Sequence, residues 1–252
     1  MKSYFVILLL LLCCLGSVSL PKQNDCKGPN IQVAFNNVDI SFHASQYKEN
    51  NITLIENAFS SSLFEMLKKE ALSTIQDGES RNDAFKSIRK AGTVNAQALE
   101  QSATVKGLYT SPQFLSLLRN ITNLDLERVN CNDNASMNLL VYEKPGDFIA
   151  WHTDPNHYSG NRITVLISLI NESSNNTLSS SFLQYRLGHE MHSIQMKPNS
   201  ILIFNGSKIL HQATGISNNE KRVQLSFTYC DICKETIFGK TIKWAKETVL
   251  GY

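Results

Sequence analysis

Residues 138–154 read NLLVYEKPGDFIAWHTD, and this stretch decides the fold. An apolar segment that ends at Tyr142 is followed by a Pro-Gly turn signal, and a second short apolar segment leads into His152 and Asp154. This pattern predicts two strands joined by a turn. Residues i and i+2 of a strand point to the same face, so the imidazole of His152 and the carboxylate of Asp154 are expected to lie side by side.

A second histidine, His211, and an arginine, Arg222, follow this pair later in the chain. Two imidazoles and one carboxylate can bind one face of an Fe(II) ion and leave the opposite positions open. We therefore predict that His152, Asp154 and His211 are metal ligands and form the catalytic centre. A guanidinium pairs with a carboxylate through two parallel hydrogen bonds, so Arg222 is predicted to anchor the far carboxylate of a 2-oxoacid cosubstrate.

Tyr142 and Asn138 are further candidates for binding the cosubstrate, because alternation along their strand places them on one face. The phenol of Tyr142 is predicted to donate a hydrogen bond to the cosubstrate, although a packing role explains a tyrosine here equally well. Asn138 is predicted to contact the cosubstrate or the substrate. In the segment that begins at Arg222, the same alternation places Gln224 and Ser226 on the face of the arginine.

Short apolar segments separated by turn residues fill the second half of the chain, as is typical of strands. The predicted strands cover 137–142, 149–152, 162–170, 181–185, 191–196, 200–204 and 222–229. Many short strands at regular spacing indicate a barrel or a double-sheet jelly roll. We therefore predict an α+β fold with a double-stranded β-helix core over residues 131–234, and a helical C-terminal segment over residues 235–252.

Residues 20–130 are predicted to be a mainly helical support region. Ser62 and Glu65 have the spacing of a capping box, and the apolar stripe after them predicts a helix that ends near residue 78. A second helix is predicted near residues 82–90. A third begins at Ser111-Pro112, a cap residue followed by proline at the first helical position.

The chain has 252 residues, of which 42% are hydrophobic and 18% are charged, and this composition indicates a globular protein. The formal net charge is +2, without a long basic or acidic run. We therefore expect neither nucleic acid nor a charged membrane surface as a partner. The sequence leaves the oligomeric state open.

Residues 1–19 are predicted to be a signal peptide, because a lysine precedes a short apolar run that ends in small residues. The run is shorter than the about 20 apolar residues that span a bilayer, so no stable membrane span is expected after its removal. An uncleaved signal anchor is the alternative. The expected location is secretion or the lumen of the endoplasmic reticulum, and the C-terminus VLGY is not a retention signal.

Cysteines and glycosylation sequons are consistent with this location. Cys26, Cys131, Cys230 and Cys233 follow the leader, and an even number suits disulfides, whose pairing the sequence leaves open. Cys230-x-x-Cys233 is a bridge, a pair of free thiols, a redox-active pair or half of a zinc site. Candidate glycan acceptors are Asn51, Asn120, Asn134, Asn171, Asn175 and Asn205, which makes the chain a predicted glycoprotein.

The stretch 138–154, the following segment GNRITVLISL from Gly160, and the pair His211 and Arg222 resemble the 2-oxoglutarate/Fe(II)-dependent dioxygenases. The resemblance covers residues 137–229 and is most marked with the prolyl 4-hydroxylase-like and lysyl hydroxylase-like branch. It implies a jelly-roll core with Fe(II) at one mouth, 2-oxoglutarate and dioxygen as cosubstrates, and ascorbate as an optional reductant. The implied reaction is hydroxylation.

Three comparisons with related enzymes narrow the implied substrate and the implied reaction. Collagen-type prolyl hydroxylases usually carry Gly-Gly-x-Thr where residues 178–182 read LSSSF, and they commonly anchor 2-oxoglutarate with a lysine where Arg222 stands beside Lys221. Both departures weigh against a collagen prolyl substrate. The related halogenases replace the metal carboxylate with a small residue so that halide can bind, whereas Asp154 keeps the carboxylate. This residue predicts oxygen insertion.

Three classes of function follow from the sequence. The first is an enzyme that hydroxylates a prolyl or lysyl side chain in a secreted protein. The second is a hydroxylase of a free small metabolite, which a closed and small pocket would favour. The third is a non-catalytic binding protein with the same fold, and the complete set of metal ligands and the cosubstrate anchor argue against it.

Overall fold

The computed structural model describes residues 27–81, 87–130, 133–175 and 177–236. The predicted signal peptide and nearly all of the predicted C-terminal helix lie outside the described residues. The predicted helix near residues 82–90 falls largely on residues 82–86, which also lie outside them. Residues 87–90 are described and form a turn and a bridge to Ile149.

Six helices lie in the described part of the first half of the chain. They are α1 (Ile40–Asn50), α2 (Ser61–Ser73), α3 (Ile75–Gly78), α4 (Ala96–Leu99), α5 (Ala103–Thr110) and α6 (Pro112–Thr122). Two of these helices, α2 and α6, begin near the predicted positions, but the residue that caps α2 differs from the predicted one. Ser111 caps α6 and proline occupies its first turn, as predicted. The side chain that caps α2 is Ser60 and not Ser62, because Ser60 accepts the hydrogen bond from the amide of Leu63.

Twelve strands form two antiparallel sheets within the described residues. They are β1 (Ile52–Ile55), β2 (Glu79–Ser80), β3 (Gly92–Val94), β4 (Glu127–Arg128), β5 (Met137–Tyr142), β6 (Ile149–His152), β7 (Arg162–Ser173), β8 (Leu183–Leu187), β9 (Glu190–Ile194), β10 (Ser200–Asn205), β11 (His211–Ala213) and β12 (Glu220–Cys230). The major sheet has the order β1-β10-β7-β12-β5-β3-β2, with β4 also paired to β12. The minor sheet has the order β6-β11-β8-β9.

The two faces of the major sheet have different partners, and this arrangement positions the site. One face packs against the helices in the main apolar core, to which β12 contributes Val223, Leu225 and Phe227. On the other face, Leu166 and Phe204 belong to a smaller apolar cluster with residues of the minor sheet. Alternation along β12 thereby turns the face of Arg222 away from the helices and towards the minor sheet.

The support region contributes strands as well as helices, a difference from the predicted mainly helical segment. β1 pairs with β10 at one edge of the major sheet, and β3 pairs with β5 on the other side. The run Ile-Thr-Leu-Ile of β1 is too short for its periodicity to distinguish a strand from a loop. Its place is determined by burial against β10, which comes about 150 residues later in the sequence.

Glu70 of α2 holds the N-terminus of α5, and its replacement is expected to weaken the support region. Its carboxylate accepts hydrogen bonds from the Ser102 hydroxyl and from the amide and hydroxyl of Thr104, at 2.6–2.9 Å. Burial alone would raise the pKa of Glu70, but these hydrogen bonds outweigh it and hold the pKa below its ordinary value. We expect Glu70→Ala to lower the free energy of unfolding by about 2 kcal/mol, since it removes a helix cap and charged hydrogen bonds.

Urea unfolding as a function of pH measures this effect, and Glu65→Ala on the exposed side of the same helix is the control. Because the folded-state pKa of Glu70 is depressed, its stabilisation is present above the pKa of the unfolded chain. It is lost as the pH falls through the folded-state pKa. The difference between wild type and Glu70→Ala should therefore shrink in acid, and a difference independent of pH would contradict this role.

Among the described helices, none combines the length and the apolar character that crossing a membrane requires.

Candidate metal centre

The three predicted metal ligands lie together at one end of the space between the sheets. β6 and β11 are neighbours, and His152 and His211 are directly paired in their register. Asp154 follows β6, and its backbone amide donates to the carbonyl of Gly206 at 2.8 Å. The Oδ1 atom of Asp154 lies 3.6 Å from Nε2 of His152 and 4.0 Å from Nε2 of His211. The sequence predicted this convergence from the strand pattern.

Both imidazoles are oriented by the backbone. Nδ1 of His152 lies 2.8 Å from the carbonyl oxygen of Ala150, and Nδ1 of His211 lies 2.8 Å from that of Ile209. A carbonyl oxygen can only accept, so each Nδ1 carries the proton and donates it. In the neutral imidazole, Nε2 then carries the lone pair that is directed at the site, which is the tautomer that binds a metal.

The electrostatics of the cluster favour a cation between these groups. Burial alone would raise the pKa of Asp154, but the charge of Arg162, the contact with His152 and the hydrogen bond from the Thr164 hydroxyl hold it far below its ordinary range. Burial lowers the pKa of His211 and favours its neutral form. For His152, the effect of burial is outweighed by Asp154 and the Ala150 carbonyl, which raise its pKa. A metal cation would compete with the proton on His152.

The donor set fits Fe(II) in number, type and spacing. Ligand atoms about 2.1 Å from a shared ion in perpendicular directions lie about 3 Å apart. The three candidate ligand atoms all lie within 4.8 Å of one another, so movements of about 1 Å bring them to an ion. Two imidazoles and one carboxylate form the facial set that leaves positions open for cosubstrates.

Arg222 occupies the same cavity as the metal ligands, as predicted for the cosubstrate anchor. It is 2% exposed, and its Nη1 donates to the Ser181 hydroxyl at 3.1 Å. Its guanidinium carbon lies 5.1 Å from the ring centroid of Tyr142, its partner across the strands. Burial lowers the pKa of Arg222. Among the described residues, no carboxylate forms a salt bridge with it, so the cavity holds a buried cation that lacks an anion.

The adjacent Lys221 is not placed to take this role. Its ammonium lies 3.8 Å from a carboxylate oxygen of Glu143, and both side chains are more than one-third exposed. Alternation along β12 gives Lys221 and Arg222 opposite faces. Of these two neighbouring basic residues, only Arg222 lines the cavity.

The structure distinguishes the two other predicted cosubstrate residues. Tyr142 lines the cavity, is 1% exposed and stacks with Arg222, and burial raises the pKa of its phenol. It therefore contacts the anchor, and its hydrogen bond to a cosubstrate stays a prediction. Asn138 pairs with Ser226 across the sheet, but only Ser226 lines the cavity. The predicted contact of Asn138 with a ligand is not supported by its position.

The remaining cavity wall shows which functional residues the sequence reasoning missed. The cavity contains about 440 Å³ of empty space, part of it open to solvent. Thr164 contacts Asp154 and Ser181 contacts Arg222, and neither contact was foreseen. Gln224 was placed on the Arg222 face by alternation; it is fully buried, and its Oε1 has no hydrogen-bond partner within the part of the chain that the structure describes. Ser181 lies in the serine-rich segment that departs from the prolyl hydroxylase pattern.

The apolar wall of the cavity comes from both sheets. It suits the methylene groups of a cosubstrate that reaches from the metal ligands to Arg222. The apolar side chains are those of Leu140, Ile149, Leu166, Leu183, Phe204 and Ala213.

The loop after Asp154 forms several hydrogen bonds with the segment that follows β12. Cys230 and Cys233 form a disulfide, one of the alternatives that the sequence left open. The carboxylate of Asp231 accepts from the amide of Asn161 at 2.6 Å, and backbone hydrogen bonds join residues 157–160 to residues 232–236. The structure of the loop after Asp154 thus depends on a segment about 75 residues further along the chain.

Two of the six predicted glycan acceptors are buried and hydrogen-bonded. Asn171 and Asn205 are each 2% exposed, and their side-chain nitrogens donate to the Met196 carbonyl and to Asn161. A glycan needs that nitrogen and open space around it. Asn120, by contrast, is exposed on α6.

Comparisons with known proteins agree with this fold. The sequence model of the family described as Halogenase D matches residues 35–237. The structure is similar to that of SnoN, a non-heme alpha ketoglutarate dependent epimerase from nogalamycin biosynthesis, with 16% identity and a TM-score of 0.63; the match covers 76% of this chain and 82% of that one. A sequence comparison with curated proteins gives no match.

Two prolyl hydroxylases are also similar in structure. The Trichoplax adhaerens prolyl hydroxylase, solved with a hypoxia inducible factor peptide, is 18% identical with a TM-score of 0.61 over 76% of this chain and 89% of that chain. A Pseudomonas putida prolyl-4-hydroxylase is 14% identical with a TM-score of 0.58 over 76% of this chain and 98% of that chain.

The predicted jelly-roll fold and the predicted resemblance are confirmed. The fold is the one seen in 2-oxoglutarate/Fe(II)-dependent oxygenases, and the His-Asp-His cluster is a group of side chains that could hold a metal ion. The chain belongs to the Halogenase D family, whose sequence model covers more than half of it.

Proposed function

We propose that this protein is a 2-oxoglutarate-dependent Fe(II) dioxygenase that hydroxylates its substrate. The observation that carries the proposal is the buried guanidinium of Arg222, which lacks an acidic partner among the described residues and shares a cavity with three metal ligands. A buried, unpaired charge is costly to keep, so the cavity is built for an anion. A 2-oxo dicarboxylate supplies that anion at one end and chelating oxygens at the other.

Each residue has a separate task in the proposed reaction. His152, Asp154 and His211 would hold Fe(II), and Arg222 would bind the far carboxylate of 2-oxoglutarate through charge-assisted hydrogen bonds. When bound, the metal and the cosubstrate supply the activation of dioxygen. Ser181 holds the Arg222 guanidinium from one side, because its own hydroxyl donates to the Thr214 carbonyl at 2.6 Å and accepts from the arginine.

We propose oxygen insertion as the reaction, although the family is described as Halogenase D. The carboxylate of Asp154 faces both imidazoles and occupies the place where related halogenases have a small residue. A carboxylate in that place fills the position that a halide would take. Halogenation remains the second candidate because of the family description, and a mass gain that corresponds to chlorine would favour it.

We propose a peptidyl prolyl or lysyl side chain as the substrate, with a free small metabolite as the alternative. Support for the first comes from the Trichoplax adhaerens enzyme, which was solved with a peptide, and support for the second comes from SnoN of nogalamycin biosynthesis. The cavity is open to solvent, which admits a side chain from outside. Screening of both substrate types for a gain of about 16 daltons in mass distinguishes the alternatives.

The direct test of the proposed activity is succinate formation from 2-oxoglutarate with Fe(II), dioxygen and ascorbate. We expect turnover by the wild type and none above background by a His152→Ala, Asp154→Ala double variant. Asp125→Ala is the control, since Asp125 is exposed and remote from the cavity. Equal turnover by wild type and double variant, with no iron bound to either, would refute the enzyme proposal and favour a binding protein.

We also propose that the protein enters the secretory pathway. The Cys230–Cys233 disulfide supports this location, because disulfides persist in oxidising compartments. After expression in secretory eukaryotic cells, a loss of mass on glycosidase treatment is expected, with Asn120 among the modified residues and Asn171 and Asn205 unmodified. Retention of the whole chain in the cytosol would contradict the proposal.

A further inference from the structure

The two carboxylate oxygens of Asp154 have different surroundings. Oδ1 faces Nε2 of His152 and Nε2 of His211, at 3.6 and 4.0 Å. Oδ2 faces away from them and accepts a hydrogen bond of 2.5 Å from the Thr164 hydroxyl. The carboxylate therefore presents one oxygen to the metal position, and the other is held by a side chain that the sequence analysis did not single out.

Thr164 lies in an interior strand of the major sheet. It is 4% exposed and lies in β7, where it pairs with Phe204 of β10 on one side and Thr228 of β12 on the other. A β-branched side chain in a strand has few accessible rotamers, so the hydroxyl has a fixed direction. The hydrogen bond from Thr164 therefore fixes the Asp154 carboxylate relative to the major sheet.

Gly206 makes room for this contact. Its carbonyl accepts from the backbone amide of Asp154 at 2.8 Å. A Cβ atom at residue 206 would overlap both Oδ2 of Asp154 and the hydroxyl of Thr164. Only glycine allows the backbone of residue 206 to approach this closely to the bonded pair.

Arg162 fixes the other side of the same ligand. Its guanidinium donates to the carbonyl of Pro155, the residue directly after Asp154. Arg162 lies two residues before Thr164 in β7 and therefore points to the same face of the strand as Thr164. The backbone on both sides of Asp154 is thus held in place, but its carboxylate could still rotate. The hydrogen bond from the Thr164 hydroxyl prevents that rotation.

We propose that Thr164 and Gly206 are positioning residues that keep Asp154 a single-oxygen metal ligand. The inference rests on the proposed function of the site. Without the hydroxyl, Oδ2 would be buried without a partner, and the carboxylate would gain by turning both oxygens towards the cation. The second oxygen would then occupy a coordination position that the cosubstrates need, since a facial triad works by leaving positions open.

Cobalt(II) binding to the purified full-length chain tests this role without reference to turnover. The variant is Thr164→Val, which keeps the shape of the side chain and removes the hydroxyl. We expect Co(II) affinity to fall about 10- to 100-fold, the usual effect of losing a partner that orients a metal ligand. The visible absorption bands of bound Co(II) should also shift as the carboxylate changes its binding mode, and Thr164→Ser should restore both affinity and spectrum.

Thr53→Val is the matched control, because Thr53 is an equally buried strand threonine whose hydroxyl donates to Gln46 and does not line the cavity. Thr164→Ala is the second variant should the valine fail to fold, with the same expected loss. Wild-type affinity and spectrum in a folded Thr164→Val or Thr164→Ala protein would overturn the inference alone. Absence of Co(II) binding by the wild type would overturn the proposed metal site, and the inference with it.

Discussion

Asp154→Gly is expected to lower the affinity for Fe(II) by at least about 100-fold and to abolish hydroxylation. Loss of a partner that merely orients a ligand costs about 10- to 100-fold in affinity, and here the ligand itself is removed. The change also empties the place where related halogenases accept halide. The variant should therefore bind Fe(II) more tightly in chloride than in sulfate, because a small anion restores the lost negative charge beside the metal.

Titration with Fe(II) under anaerobic conditions, in both salts, measures these affinities. The wild type is expected to bind equally well in chloride and sulfate, since Asp154 already fills the anion position. Asp125→Ala, on the surface, should behave as the wild type. Wild-type iron affinity in the glycine variant would show that Asp154 is no ligand, and chloride-dependent turnover by the wild type would favour halogenation.

Arg222→Met is expected to raise the KM for 2-oxoglutarate about 100-fold. The variant removes a buried guanidinium whose charge-assisted hydrogen bonds to a carboxylate are together worth about 3 kcal/mol. Methionine fills a similar length of cavity with apolar surface. The melting temperature should not fall, because a buried charge with one hydrogen bond and no acidic partner among the described residues stabilises the fold little or not at all.

Steady-state kinetics with varied 2-oxoglutarate, together with thermal unfolding, separate binding from folding. Lys221→Met is the matched control at the neighbouring position, where the side chain is more than one-third exposed and lies near Glu143. Its KM should change less than about twofold, since an exposed ion pair contributes at most about 1 kcal/mol. A KM rise in Lys221→Met and none in Arg222→Met would reverse the assignment of the anchor.

The strands of the jelly roll were predictable because their signals are local. The bounds of β5 and β6 match the predicted ones, since two apolar segments are separated by a Pro-Gly turn that ends the first and precedes the second. β1 and β11 were missed as strands. Each has three or four residues and is a strand only because a distant strand pairs with it. No local pattern carries that information.

The metal ligands and Arg222 were predictable for a related reason. Their chemistry is unusual for strand residues, and the i, i+2 rule places His152 and Asp154 on one face. Thr164 and Ser181 were not, because a threonine in a strand and a serine in a loop are ordinary. Their importance lies in a single hydrogen bond each, and that bond depends on how two sheets approach each other. Asn138 shares a strand face with Leu140 and Tyr142 but does not line the cavity, so its contact with a ligand stays a prediction.

The position of β12 in the sheet has a consequence for synthesis on the ribosome. This strand lies between β5 and β7, yet it is the last strand in the described chain. Until residue 230 has emerged, β5 and β7 have a gap between them, and their apolar faces cannot be fully covered by the helices. Pairing across such long sequence separations folds slowly and leaves strand edges open in the meantime. The nascent chain is therefore most prone to aggregation just before its final strand is inserted.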